Sequence, residues 1–164
     1  MRFEDKVVVI TGAGRGIGLA TARKFVAEGA SVAVGEIDEE LGRRAVEQLK
    51  ADGGEAAFVV CDVSQPEQVE KLIGDTVATF GRLDICVNNA GINCGGDVLT
   101  LTEADFDSVI GVNVKGPFFV SQAAAKEMVR TGTKGSIVNI SSVVSVVAVA
   151  DQPVYSISKS AING

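Results

Sequence analysis

A chain of 164 residues with 46% hydrophobic residues can bury one sizeable core, and a net charge of −6 with an isoelectric point near 4.7 offers no basic face to a nucleic acid. A mean hydropathy of +0.29 and 19 glycines exclude a disordered chain and fit an α/β domain of buried strands and tight turns. Cys61, Cys86 and Cys94 are odd in number and lack C-x-x-C spacing, and histidine is absent, so neither a disulfide framework nor a metal site is indicated. Cys61 and Cys86 read as buried thiols. The opening residues carry mixed charge rather than a secretory apolar stretch, and the longest mostly apolar run, Val143 to Ala150, is far too short to span a bilayer. The expected partner is a small molecule, with no nucleic acid and no membrane, and the expected location is cytoplasmic.

In chain order, Val7 to Ile10 are four consecutive apolar, mostly β-branched residues, the pattern of a strand buried on both faces. They run into Thr11-Gly12-Ala13-Gly14-Arg15-Gly16-Ile17-Gly18, a strand-to-helix turn suited to a diphosphate, because glycines let the anion approach the backbone and a helix start offers unpaired N–H groups. A P-loop is excluded, since Ile17 and Gly18 stand where its Gly-Lys would fall. The strict G-x-G-x-x-G also fails, leaving a variant dinucleotide fingerprint with glycines at Gly12, Gly16 and Gly18. A bland strand-to-helix turn is the competing reading of this stretch alone.

The next strand, Ser31 to Gly35, ends at Glu36, eighteen residues after Gly18, where a dinucleotide fold places an acid against the adenosine ribose. A carboxylate there accepts from a diol and repels a 2′-phosphate, favouring NAD over NADP. Glu36 can also be read as part of the acidic opening of the next helix, and Arg15 either meets a 2′-phosphate or serves the diphosphate and solvent. Asp38 to Lys50 carries Leu41, Ala45 and Leu49 one turn apart, a covering helix. A third strand, Ala56 to Cys61, leads to Asp62. Ser64 to Glu67 then reads as a capping box opening a helix with Val69, Leu72, Ile73, Thr76, Val77 and Phe80 on one face. Leu83 to Val87 is a fourth strand running into the turn Asn88-Asn89-Ala90-Gly91. From Thr102 to about Arg130 the pattern is helical, with a break or bend expected at Asn113, Gly116 and Pro117. Asn113 alone reads as a capping side chain. Gly135 to Ser142 is a fifth strand, and Pro153 opens a helix carrying Tyr155, Ser156, Ser158 and Lys159.

Tyr155 and Lys159 are four residues apart and share a helix face. A phenol is a poor base at neutral pH, and an adjacent ammonium stabilises its phenolate, so the spacing suits proton transfer. By itself such a pair is more often a snorkelling surface pair.

Taken in order, Thr11-Gly12-x-x-x-Gly16-x-Gly18, Asn88-Asn89-Ala90-Gly91, Asn113, Ser142 and Tyr155-x-x-x-Lys159 resemble the short-chain dehydrogenase/reductase family in its single-domain form, over essentially all 164 residues. The resemblance implies one NAD(P)-binding Rossmann domain over residues 1–164: a doubly wound α/β parallel sheet with five strands in order 3-2-1-4-5. It implies hydride transfer between NAD, less so NADP, and a secondary alcohol or ketone. Tyr155 is then the general acid/base, Lys159 its charged neighbour and a ribose ligand, and Ser142, rather than Ser141, the donor to the substrate oxygen. Asn113 holds a water in the proton relay. Gly12, Gly16, Ile17 and Gly18 border the diphosphate, Glu36 the ribose, Asp62 and Val63 the adenine, and Asn89, Ala90 and Gly91 the neighbouring wall. Asp62 reads equally well as a loop carboxylate.

Two departures stand out. Ser145 and Ala148 replace glycines common after the family's serine, which implies a differently shaped substrate loop. The chain also stops at Gly164, inside the helix of Tyr155 and Lys159, while family members continue with further strands and a substrate lid. The expectation is therefore a truncated form of a longer enzyme, its last helix short of length and packing partners. The alternative function is dinucleotide binding without turnover. Homo-oligomers are expected for the full-length parent, through the helices from about Thr102 and Pro153.

Overall fold

The computed structural model describes residues 1–147 and 149–164, so the Ala148 departure lies outside the described residues. Among them, five strands form one parallel sheet in the order β3-β2-β1-β4-β5: β1 Val7–Thr11, β2 Ser31–Glu36, β3 Ala56–Val60, β4 Ile85–Asn88 and β5 Ser136–Asn139. The helices are α1 Gly16–Ala27, α2 Glu39–Ala51, α3 Pro66–Phe80, α4 Glu103–Ile110, α5 Gly116–Thr131 and α6 Pro153–Asn163. This is the doubly wound arrangement expected from the alternation of apolar runs and amphipathic stretches.

Strand β1 is buried along its whole length because its side chains feed two cores. Val8 and Ile10 pack with Ala22, Val26, Ala45 and Leu49 under α1 and α2, while Val9 packs with Leu72, Ile73, Val120 and Ala124 under α3 and α5. A parallel strand covered by helices on both sides has no polar face to present, which is why its sequence reads as a continuous apolar run. Among the described residues, no helix is long and apolar enough to cross a membrane.

Three local expectations need correction. The box proposed at Ser64 does not cap α3. The N-cap is Gln65, without a side-chain cap bond, and Pro66 opens the helix. Ser64 instead donates its backbone N–H to Asp62 Oδ1 at 2.9 Å, a tight local turn that competes with the capping geometry. A complete capping box does exist at Thr102 and Asp105, opening α4. The break expected at Gly116-Pro117 is a widening instead: Gly111–Lys115 form a π-helical turn, and Gly116 donates to the Gly111 carbonyl. Gly116 keeps helical angles (φ −53°, ψ −63°) ahead of a proline, because it has no Cβ to meet the proline ring. Finally, α6 does not lack partners. Val154, Ser158 and Lys159 are buried, and Ser158 accepts from Asn113 Nδ2 at 3.0 Å.

At the opposite end of the sheet from the strand C-termini, Asp84 is buried and receives the Val7 N–H at 3.1 Å, Arg82 at 2.6 and 2.7 Å and Lys6 at 3.3 Å. Burial pushes its carboxyl pKa up, but the bonds from Arg82, Val7 and Lys6 outweigh burial and hold it below the ordinary 3.8. The unfolded chain therefore takes up this proton first. The cluster's stabilisation is complete above the ordinary value and is lost as pH falls through the lowered one. Asp84→Asn is expected to lower the unfolding free energy from urea titration at pH 7 by about 1–3 kcal/mol and to flatten the fall in stability below pH 4. Equal acid slopes in both proteins would contradict this assignment.

Candidate functional site

The chain winds from β1 to β2 on one side and crosses to β4 on the other, so a crevice opens at the C-terminal ends of β1 and β4, where ligands enter open parallel sheets. A cleft of about 360 Å³ occupies it, lined by Gly12, Arg15, Ile17, Glu36, Asp62, Val63, Asn89, Ala90 and Gly91 of the expected residues. Ile37, Cys61, Ile92 and Val112 also line it and were not anticipated. Cys61 is a packing group: burial, helped by the charge of Asp62, pushes its thiol up to about 12.

The glycine loop is held from β4. Asn89 Nδ2 donates to the carbonyls of Thr11 and Gly12 at 3.0 Å each, and Thr11 Oγ1 accepts the Asn89 and Ala90 N–H groups at 3.1 Å. Gly12 takes φ +63°, and a Cβ on it would lie 2.8 Å from Ala90 Cα; one on Gly18 would lie 2.4 Å from the Gly12 carbonyl oxygen. These two glycines are required by the protein's own packing. Gly16 is different: it takes φ +56°, and a Cβ on it would meet no atom within 4 Å, so its backbone faces open space. Arg15 is the N-cap of α1 and makes no side-chain cap bond, so the first-turn N–H groups are left for an anion. A diphosphate fits here.

Glu36 ends β2, outside α2, whose N-cap is Asp38; this removes the reading of Glu36 as a residue of the helix opening. Its carboxylate is buried at the cleft wall. Asp62 lies across the cleft, with Oδ1 accepting from Ser64 and its own N–H donating to Gln68 Oε1 at 2.8 Å. One carboxylate oxygen remains available to a ligand.

Behind Gly91 stands the second group of expected residues. Asn113 sits in the π-helical turn, buried, and exchanges two bonds with the Ile92 backbone at 2.9 Å each while donating to Ser158 Oγ. The widened turn and the α6 contact thus fix one asparagine side chain from three elements. A Cβ on Gly91 would lie 3.4 Å from Asn113 Oδ1 and 3.6 Å from Lys159 Nζ, so the lysine stands just behind the cleft wall, beyond the space a side chain at Gly91 would fill. Lys159 donates to the Ile140 carbonyl at 2.7 Å, and burial lowers its pKa from the ordinary lysine value. Its Nζ lies 5.6 Å from the Tyr155 ring centroid. The Tyr155 hydroxyl makes no hydrogen bond to any described residue. Ser141 donates to the Lys159 carbonyl at 3.1 Å and is committed to holding α6, whereas Ser142 Oγ only accepts, from Val144 N–H at 3.4 Å. Ser142 caps a short 3-10 turn over Val143–Ser145. Tyr155, Ser142, Asn113, Lys159, Gly16 and Gly18 are not among the residues lining the cleft itself.

A doubly wound parallel sheet in the order β3-β2-β1-β4-β5, with a glycine loop between β1 and α1 and an acid at the end of β2, defines a Rossmann-type α/β domain. The chain belongs to the short-chain dehydrogenase family, whose model matches residues 6–164. It is 48% identical over 164 residues to an uncharacterized oxidoreductase of Thermotoga maritima, covering 100% of this chain and 64% of that protein. It is 42% identical to a 2,5-dichloro-2,5-cyclohexadiene-1,4-diol dehydrogenase of Sphingobium indicum, covering 99% of this chain and 64% of that one. A crystal structure of a short-chain dehydrogenase/reductase from Burkholderia phymatum in complex with NAD superposes with a TM-score of 0.95 at 34% identity, over 99% of this chain and 58% of the other. An NAD+-bound xylitol dehydrogenase superposes at 0.94 and 35% identity, over 99% and 62%. The chain thus spans about 64% of the length of these curated relatives.

Proposed function

We propose that the full-length protein is an NAD-dependent oxidoreductase that interconverts a secondary alcohol and a ketone, with Tyr155 as general acid/base. The observation that carries this reading is the nearness of Lys159 to Gly91: a Cβ on Gly91, which lines the cleft, would lie 3.6 Å from Lys159 Nζ, so the Lys159-Tyr155 pair stands directly behind the cleft wall. NAD supplies the hydride acceptor or donor. The protein's part is position and charge. The α1 N-terminus and the glycine loop anchor the diphosphate, Glu36 takes the adenosine ribose hydroxyls, and Asp62 and Val63 border the adenine. In the direction of oxidation, Tyr155 acts as a phenolate whose charge the nearby ammonium of Lys159 offsets, and it takes the hydroxyl proton to become the neutral phenol. In reduction the proton returns to the carbonyl oxygen. Ser142, with its own proton uncommitted, donates to the substrate oxygen as charge develops there. Asn113 supports a water between Lys159 and solvent.

NAD is favoured over NADP because a 2′-phosphate would enter beside the buried Glu36 carboxylate; Arg15, the one cation among the described residues that line the cleft, is exposed. NAD-bound relatives of high structural similarity support the same choice. Self-association of the full-length protein belongs to this proposal, supported by the exposed Phe106, Phe118 and Ile157 on α4, α5 and α6. A second reading, nucleotide binding without turnover, is favoured by the absence of Tyr155 and Ser142 from the cleft lining. Fluorescence titration with NADH and NADPH, run beside a turnover assay on the full-length protein, separates them. NADH is expected to bind at least about ten-fold more tightly than NADPH, with turnover. Binding without turnover would favour the second reading, and no binding would overturn both.

A further inference from the structure

We infer that Glu36 is a positioning residue for the phosphate loop as well as a reader of the ribose, and this rests on the nucleotide reading above. Its carboxylate is not free at the cleft wall. Oε2 accepts the Gly14 N–H at 3.0 Å, and Oε1 accepts the N–H groups of Ile37 at 2.9 Å and Asp38 at 3.3 Å. The side chain therefore ties the middle of the glycine loop to the backbone that leaves β2, across twenty-two residues of sequence. Gly14 is shaped to this contact. A Cβ there would fall 2.8 Å from Glu36 Oε2, 2.9 Å from its Cγ and 3.0 Å from Leu41 Cβ, so the carboxylate lies directly over the loop. Gly14 has no positive φ to explain it, in contrast with Gly12 and Gly16.

The count of acceptor positions makes the role consequential. An ionised carboxylate offers about four lone-pair positions, and backbone N–H groups occupy three of them, leaving about one for a ribose diol. A ribose gripped through both hydroxyls displaces or shares one of these backbone bonds. The three donors also approach both oxygens, so an amide cannot serve them all. Glutamine has one oxygen, and either Gly14 or the Ile37-Asp38 pair would then face an NH₂ group. Glu36→Gln leaves the size of the side chain nearly unchanged and removes one acceptor oxygen together with the charge. Neutralising Glu36 to admit a 2′-phosphate would accordingly loosen the loop that holds the diphosphate.

The test uses ligands that differ only in the diol. ADP and 2′,3′-dideoxy-ADP are titrated into the full-length wild-type protein and into Glu36→Gln. A residue that reads only the ribose has nothing to read in the dideoxy ligand. The positioning role predicts that Glu36→Gln weakens ADP about ten-fold or more and still weakens dideoxy-ADP at least about five-fold. Equal dideoxy-ADP affinity in the two proteins overturns the inference and leaves the nucleotide reading standing. Failure of ADP to bind the wild type overturns the nucleotide reading itself. Amide hydrogen exchange on the ligand-free wild type gives a measurement that needs no variant: Gly14 N–H is expected to be protected, and exchange at the rate of an open loop overturns the inference.

Discussion

Tyr155→Phe in the full-length protein is expected to lower kcat by a factor of about 100 to 10,000 while leaving NADH affinity within about two-fold. The change removes one oxygen atom, and the Tyr155 hydroxyl has no bond to any described residue, so neither α6 nor the cleft loses a contact. The ring, its packing and its 5.6 Å separation from Lys159 Nζ are retained. A loss confined to kcat is what removal of a proton donor and acceptor produces; a matched loss in KM for NADH would instead indicate a binding role. Single-turnover and steady-state assays on the variant distinguish the two, and turnover above about one tenth of wild type would remove Tyr155 from its assigned role.

Lys159→Met is expected to move both quantities. Methionine keeps much of the apolar stem but removes the Nζ that donates to Ile140 and stands behind the cleft wall at Gly91. Turnover should fall by a factor of about 100 to 10,000 with the loss of charge beside the phenol, and NADH should bind about ten-fold more weakly with the loss of a ribose partner. The fold should survive, because burial already disfavours the lysine charge, as its lowered pKa records. The sign follows from that direction. The unfolded chain holds this proton more tightly than the folded one, so the charge costs stability at neutral pH and the cost is relieved as pH rises toward the ordinary lysine value. Lys159→Met should therefore flatten the rise in stability on the alkaline side. Thermal unfolding against pH checks this, and a collapse of the melting temperature at pH 7 with turnover unmeasurable would assign Lys159 to structure.

The parts of the molecule readable from sequence are those set by neighbours along the chain. The apolar run of β1, the glycine spacing, the acid that ends β2 and the four-residue step from Tyr155 to Lys159 are local patterns, and each takes the place in the sheet that its pattern implies. The strand order follows once β1 and β4 are recognised as crevice strands. Contacts across the sheet left less trace. Nothing near Asn89 signals that its amide holds the Thr11 and Gly12 carbonyls seventy-eight and seventy-seven residues earlier. Nor does Glu36 announce its bond to Gly14. The π-helical turn was hidden because a Gly-Pro pair ordinarily reads as a break, whereas a glycine without a Cβ can stay helical before the proline. At Ser64 a valid capping pattern lost to the side chain of Asp62, a closer acceptor two residues away. The Ser158 hydroxyl, which joins Asn113 to α6, lies within the Tyr155-Lys159 motif, yet a serine in a helix has no distinctive spacing to signal that bond.

The proposed function requires one continuous site, running from the carboxylate of Glu36 through the glycine loop to the ammonium of Lys159. A crystal structure of the full-length protein with NADH tests it most directly. The adenosine ribose is expected at Glu36, the diphosphate at the first turn of α1 beside Gly16, and the nicotinamide ribose within hydrogen-bond distance of Lys159, with the nicotinamide ring beside Tyr155. A nicotinamide directed away from α6, with its ribose beyond reach of Lys159 Nζ, would contradict it.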